Sequence, residues 1–176
     1  DPTFVSEKMW MLVNEFTRTG IKKVVGDIVV DDTFFDAERV DEGREESNVD
    51  RAYNALLSGL SFNWNSTTLW VRPGAKSGDP AAVWVDPENE FVTLKNKAVT
   101  TRFGTDLNAS REDAGTHDQV VVTGKIATGS PEKHFYKNIN NPSLFAGANL
   151  RVFLKQRELD VTGKLRSGVT PKSARI

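Results

Sequence analysis

Apolar positions in this chain recur at two spacings. Between Ser6 and Thr19, Met9, Trp10, Leu12, Val13 and Phe16 follow the three-to-four-residue interval of a helix with one apolar face. Ser6 offers an N-cap oxygen and Gly20 a left-handed stop, which bounds this helix at residues 6–19. Residues 21–30 (IKKVVGDIVV) are rich in β-branched side chains and predict a strand. Helix, glycine and strand make half of a βαβ unit, and the strand that should precede the helix is expected before Asp1. Residues 58–72 (SGLSFNWNSTTLWVR) predict paired strands around a turn near Asn63–Ser66, ended by Pro73-Gly74. Further strands are predicted at residues 82–85, 91–94 and 119–126, with a polar break over 104–118. Asn141-Pro142 opens a second helix, with proline near its first position. Leu144, Phe145, Ala148, Val152 and Phe153 form its apolar face, and residues 159–165 predict the last strand. No internal repeat or low-complexity segment is evident. The expected fold class is α/β: a mixed β-sheet with two principal helices in two small subdomains. Residues 1–50 would form a helix–strand unit with an acidic loop, and residues 51–176 a β-rich subdomain with one C-terminal helix.

Composition narrows the function classes. A chain of 176 residues can bury a core without staples, and 38% hydrophobic with 27% charged residues is ordinary for a soluble globular protein. A net charge of −1 argues against a general nucleic-acid or membrane-surface binder. The charge is uneven, with ten acids against two arginines over residues 27–50 and seven basic residues against two acids over 151–176. The absence of cysteine excludes disulfides, thiolate metal sites and a Cys nucleophile from this chain. No apolar run approaches the roughly 18 residues of a membrane span, and no signal-peptide pattern is present. The chain opens at Asp1-Pro2 without Met and is read as a piece of a longer protein or a processed product. Residues 31–50 are acidic, with little periodicity, and predict a loop of about 15 residues or more, a length that suggests function or disorder.

Several short motifs carry possible chemistry. Ser130-Pro131-Glu132-Lys133 fits Ser-x-x-Lys and Ser61-Phe62-Asn63 fits Ser-x-Asn, but Lys-Thr-Gly occurs nowhere. A Ser-x-x-Lys nucleophile should open a buried helix, so that its lysine sits one turn later on the same face. Ser130 instead follows Gly129 and precedes a proline, which reads as a surface turn. Asp31, Asp32 and Asp36 lack the glycine and bidentate Glu spacing of a calcium loop. His117 and His134 have no second ligand at metal-binding spacing, and no cofactor or metal is implied. Asn65-Ser66-Thr67 and Asn108-Ala109-Ser110 fit a glycosylation sequon that is common by chance. Trp10, Trp64, Trp70 and Trp84 lie in apolar-periodic segments and read as core or interface rather than as a sugar-stacking platform.

Four segments, in order, carry a family resemblance. They are Asp1-Pro2-Thr3 followed by the helix and Gly20-Ile21; GDIVVDDTFFD at residues 26–36; YNALLSGLSFNWNSTTLWVRPG at 53–74; and NPSLFAGANLRVFLKQRELDVTGKLRSG at 141–168. Together they resemble the class C low-molecular-mass penicillin-binding proteins, which are D-Ala-D-Ala carboxypeptidases and endopeptidases. The chain departs from that pattern at Ala55-Leu56, where the family has Ala-Pro, and at Arg157-Glu158, where it has a helix-ending glycine. A non-glycine there must find another helix stop.

The resemblance implies a serine-type peptidase in which Ser-x-x-Lys, Ser-x-Asn and Lys-Thr-Gly form an acyl-enzyme, the lysine accepting the serine proton. In the family the first motif precedes the segment matched at Asp1 and the other two follow the end of this chain. The chain would then be a non-catalytic insert that shapes the substrate cleft, without a catalytic residue of its own. Implied partners are peptidoglycan stem peptides and, through the catalytic part, β-lactams, in a periplasmic or extracytoplasmic setting, with no nucleic acid and no membrane span. The loop after the first strand would reach the cleft. There Asp31 and Asp32 would pair with the ammonium of the peptide's diamino acid, and Phe35 would cover its methylene stem. The plainer alternative has a strand-end aspartate capping a turn and Phe35 in the core. A reading from a different class is a stand-alone, non-catalytic module binding cell wall or protein, and a weaker one is an unrelated enzyme using Ser130 and Lys133.

Overall fold

The structure, a computed structural model, describes residues 3–40, 43 and 49–175. In chain order the elements are α1 (Ser6–Thr17), β1 (Lys23–Val24), β2 (Ile28–Val30), β3 (Ser66–Arg72), β4 (Ala82–Asp86), β5 (Val92–Thr101), β6 (Asp106–Asp113), β7 (Asp118–Ala127), β8 (Lys133–Asn138), α2 (Pro142–Gln156), β9 (Asp160–Val161) and β10 (Leu165–Ser167). Short 3-10 turns occupy Ala52–Asn54 and Asn63–Asn65. The α/β class expected from the sequence is found. Two compact units divide the chain: residues 1–45, 56–65 and 141–176 form one, and 46–55 with 66–140 form the other. The second helix, expected within the β-rich part, thus groups with the N-terminal segment.

In the first unit a parallel ladder joins the two helix–strand segments. β1 pairs with β9 and β2 with β10, and Lys23 faces Asp160 as Ile28 faces Leu165, so one register runs through an interruption. Gly26 and Gly163 meet at that interruption. The Gly163 amide donates to the Gly26 carbonyl at 2.8 Å, and a Cβ on Gly163 would lie 2.1 Å from that oxygen. The single strand expected over residues 21–30 is split here because Gly26 turns to φ +139° and the Asp27 carboxylate accepts the Lys164 amide at 2.8 Å. The core of this unit gathers Val13, Leu154 and Leu159, with Val24, Ile28, Leu150, Phe153 and Val161 packed around them. A second apolar line runs from Phe4 through Phe62 to Phe145.

The helix ends explain their own positions. Pro142 opens α2, and the Asn141 side chain accepts from the Leu144 amide at 3.1 Å. α1 is capped from a distance: Ser6 lies inside its first turn rather than at the cap, and its amide donates to Oδ1 of Asn63 at 2.9 Å. The Asn63 amide nitrogen returns a bond to the Ser6 hydroxyl at 2.9 Å. At the end of α2, Glu158 itself takes the left-handed conformation, φ +59°, that glycine holds in the resembled family. The amides of Glu158 and Leu159 donate to the carbonyls of Lys155 and Leu154, both at 3.0 Å, and the buried Leu159 joins Leu154 in the core. This is a Schellman ending built without glycine.

The second unit holds two three-stranded sheets. One is antiparallel, in the order β4-β3-β8; in the other β7 lies parallel to β5 and antiparallel to β6. Along β3, Thr67, Leu69 and Val71 are buried, while Thr68, Trp70 and Arg72 point to the opposite face. Asp118 is fully buried between Arg111, 3.3 Å away, and the Asn140 amide at 3.0 Å. Burial raises its carboxyl pKa against the pull of those two partners. Arg111 also donates to Asn138, whose amide nitrogen reaches the carbonyls of Val49 and Asn54. Lys137, also buried, pairs with Asp50 at 2.6 Å. These polar groups satisfy one another inside the unit and so hold its loops to its strands.

Candidate functional site

The segment that follows β2 is built by its carboxylates. Oδ1 of Asp31 accepts both the amide (3.0 Å) and the hydroxyl (2.7 Å) of Thr33, while Oδ2 accepts the Thr170 amide at 2.6 Å. These bonds hold the Asp31 carboxyl well below the usual range. Asp32 is engaged on both oxygens too. Oδ1 accepts from the amides of Gly59 (2.6 Å) and Leu60 (3.3 Å), and Oδ2 from the Ser58 hydroxyl at 2.9 Å. Arg39 completes this set, 2.6 Å from Oδ2 of Asp32 and 3.2 Å from the Leu57 carbonyl. The backbone of residue 39 also accepts from the Leu57 amide. Asp32 therefore pins residues 58–60 to the loop, and Arg39 pins Leu57.

What the loop presents outward is aromatic. Phe35 is 65% exposed and Phe34 86%, their rings meeting edge to face at 4.9 Å. The Phe35 ring rests over Gly59, where an added Cβ would come within 3.3 Å of the ring and 3.1 Å of the Asp32 carboxylate. Asp36 beside them is exposed, one oxygen accepting the Glu38 amide at 3.1 Å. Of the three residues singled out from the sequence, Asp31 and Asp32 face into the chain as anchors and Phe35 faces out. Phe34 and Asp36 share the outward edge; their place directly after a strand-end Asp-Asp pair is the only sequence sign of it. Residues 41–48, apart from Gly43, lie outside the described residues, and with them the acids Asp41, Glu42, Glu45 and Glu46.

The literal motif matches are spent on structure. The Ser130 hydroxyl lies 2.5 Å from that of Thr105 on the connection between β7 and β8, and Lys133 begins β8 rather than a helix turn. Ser61 donates to the Ser58 carbonyl and accepts from Asn65. Among the described residues no cluster of three metal-ligating side chains occurs.

The D-Ala-D-Ala carboxypeptidase 3 (S13) family model matches residues 1–176, the whole chain. The chain belongs to that family. The low-molecular-mass penicillin-binding relationship read from the four sequence segments is thereby established. A D-alanyl-D-alanine carboxypeptidase of Actinomadura sp. (strain R39) is 27% identical over 177 residues, covering 97% of this chain and 33% of that protein. In three dimensions the chain resembles penicillin binding protein 4 (dacB) from Haemophilus influenzae, with a TM-score of 0.72, 16% identity and coverage of 99% of this chain against 39% of the other. The same protein complexed with a novel β-lactam matches with a TM-score of 0.59 at 15% identity. The chain thus spans about a third of the length of the relatives it matches. No helix among the described residues is long and apolar enough to cross a membrane.

Proposed function

We propose that this chain is the non-catalytic insert of a serine-type D-Ala-D-Ala carboxypeptidase/endopeptidase acting on peptidoglycan peptides outside the cytoplasm, and that it walls the substrate cleft. The observation that carries the reading is a family match over the whole chain combined with coverage of only a third of the relative. The sequence holds no Lys-Thr-Gly, and the serine hydroxyls of the two partial motifs are bonded within the fold. Substrate contact belongs to the loop of Asp31, Asp32 and Phe35. Asp31 and Asp32 hold it in place, and Phe35, with Phe34 and Asp36 beside it, meets the side chain of the stem-peptide diamino acid. An aromatic edge next to a carboxylate suits a methylene stem that ends in an ammonium.

Labelling with a fluorescent penicillin tests the first part. The full-length protein is expected to form a covalent penicilloyl adduct and this chain alone none; an adduct on the chain alone overturns the reading. The loop is tested by Phe35→Ala in the full-length enzyme. kcat/KM on a diaminopimelate-type peptide should fall about tenfold, the equivalent of about 1.4 kcal/mol of lost contact, while acylation by penicillin stays unchanged. Equal losses on both substrates would place the effect elsewhere.

A further inference from the structure

The outward face of the β4-β3-β8 sheet carries a row of rings. Trp70 on β3 is the cross-strand partner of both Trp84 on β4 and His134 on β8. The next row along the strands sets Thr68 between Asp86 and Tyr136. Beyond Trp70 lies Arg72, ion-paired with Glu132 and with its guanidinium 4.8 Å from the centre of the Trp84 ring. These side chains alternate with the buried Thr67, Leu69 and Val71, so they stand on the face turned away from the core. Ring centres step by 6.4 Å from Trp84 to Trp70, 5.3 Å to His134 and 5.1 Å to Tyr136. The two indoles are within 15° of parallel. Their separation is well beyond the roughly 3.5–4 Å of direct face contact, so they overlap little and form a stepped platform. Tyr136 is 53% exposed at one end and both indoles are half-buried.

We infer that this face is a binding platform for a neutral glycan strand, whose pyranose rings lie on Trp70, Trp84 and Tyr136. Size and charge select this partner. Three strands and the span from residue 68 to 72 give a patch of about 10 by about 14 Å. That is far below the roughly 800 Å² per partner that a standard protein interface or stable dimer covers, yet it accommodates a few sugar rings. Arg72 is neutralised by Glu132 and the remaining formal charge is the Asp86 carboxylate. Nothing in the patch holds a polyanion or an anionic lipid surface. A sugar ring offers axial C–H groups to the negative face of an indole, and hydroxyls to the groups that flank the rings: Asp86, Thr68, Tyr136 and His134. The sequence placed Trp70 and Trp84 in the core or an interface; their shared row with His134, and Tyr136 in the row beside it, became visible only through the strand register.

The test is titration of this chain with a neutral N-acetylglucosamine tetramer, followed by tryptophan fluorescence and amide chemical shifts. A saturable change is expected, with shifts grouped on residues 66–72, 82–86 and 132–137. Trp84→Ala and Tyr136→Ala should each weaken binding about tenfold or more. Lys97→Ala, on the other sheet, should leave it unchanged. Tyr136 is exposed, so its variant keeps the test valid if Trp84→Ala disturbs folding, which circular dichroism will reveal. No saturable change at millimolar sugar overturns the inference. So does an unchanged midpoint in both ring variants, or a signal that follows protein rather than sugar concentration, which would mark self-association. Because no catalysis is measured, failure here leaves the proposed insert function untouched.

Discussion

Glu158 sits where the resembled family has glycine, and it adopts the left-handed backbone (φ +59°) without changing the helix ending. A left-handed non-glycine costs roughly 1–2 kcal/mol, partly returned because glycine is freer in the unfolded chain. Glu158→Gly should therefore raise the unfolding free energy by about 1 kcal/mol in urea titration; an unchanged or lower midpoint would mean the strain is not there. A different balance holds at Asn63, Trp64 and Asn65, three consecutive residues with φ between 47° and 53°. Asn65 is buried and fixes the turn through its side chain, accepting from the Phe62 amide at 3.1 Å and donating to Leu56 at 2.8 Å and Ser61 at 3.1 Å. Asn65→Ala removes all three bonds, leaves the buried Phe62 amide without its partner and should lower stability by about 2 kcal/mol in the same assay. The Asn-Trp-Asn stretch was legible as a turn. That Asn63 reaches across 57 residues to cap α1 was not, because a cap drawn from another segment leaves no local pattern beside the helix.

At the scale of elements, the periodicity of α2 was readable because Phe145, Ala148 and Leu154 are buried along it, whereas of the stripe expected on α1 only Met9 and Val13 are buried and Leu12 and Phe16 are exposed. The strands were read unevenly. β7 announces itself through Val120, Val122 and Ile126, all fully buried. β6 did not, because of its inward positions only Leu107 is large and apolar; Ala109 is small and Arg111 charged, so no apolar alternation is raised. β8 was missed because its buried end is Lys137 and Asn138, held by hydrogen bonds rather than apolar packing. The loop after β2 was recognised as a candidate from Asp31, Asp32 and Phe35, but which side chains turn inward depends on the amides of Gly59 and Thr170, far along the chain. Helix-to-sheet contact gives a sharper test. Gly147 on α2 faces β2 and β10, and a Cβ there would come within 2.5 Å of the Leu165 side chain and 2.8 Å of Val30. Gly147→Ala should cost about 1–3 kcal/mol by overpacking, despite alanine's better helix propensity. Paired substitution with Leu165→Val should recover part of that loss, whereas no recovery would point to a cause other than this contact.

At the scale of the molecule, the acidic segment after β1 is tied to the C-terminal segment inside the first unit. Asp27 bonds the Arg166 side chain at 2.7 Å and the Lys164 backbone amide at 2.8 Å, and Asp31 bonds the Thr170 backbone amide, so one ion pair and two amides make the tie. Arg166 is 56% exposed, so its ion pair contributes little as a pair. The backbone amides matter more, since they tie the β2 and β10 strands together through carboxylates that must stay ionised. The Arg166 hydrogen bond first, then the Lys164 amide, lowers the Asp27 pKa, and Thr170 and Thr33 lower that of Asp31. Their folded-state values lie below the unfolded value of about 3.9. Their stabilisation is thus complete above that pH and is lost as pH falls through the folded values. Asp118, raised by burial, has the opposite sign: its contribution is present at low pH and is lost as pH rises through its folded value, which offsets part of the acid loss. Urea midpoints measured between pH 7 and pH 2.5 should accordingly hold steady down to about pH 4 and then drop. In Asp27→Asn/Asp31→Asn the plateau should start lower and the drop should shrink, because the groups that take up protons on unfolding are gone. A drop of full size in the double variant would assign the acid limb to other carboxylates and remove these two from the electrostatic hold on the ladder.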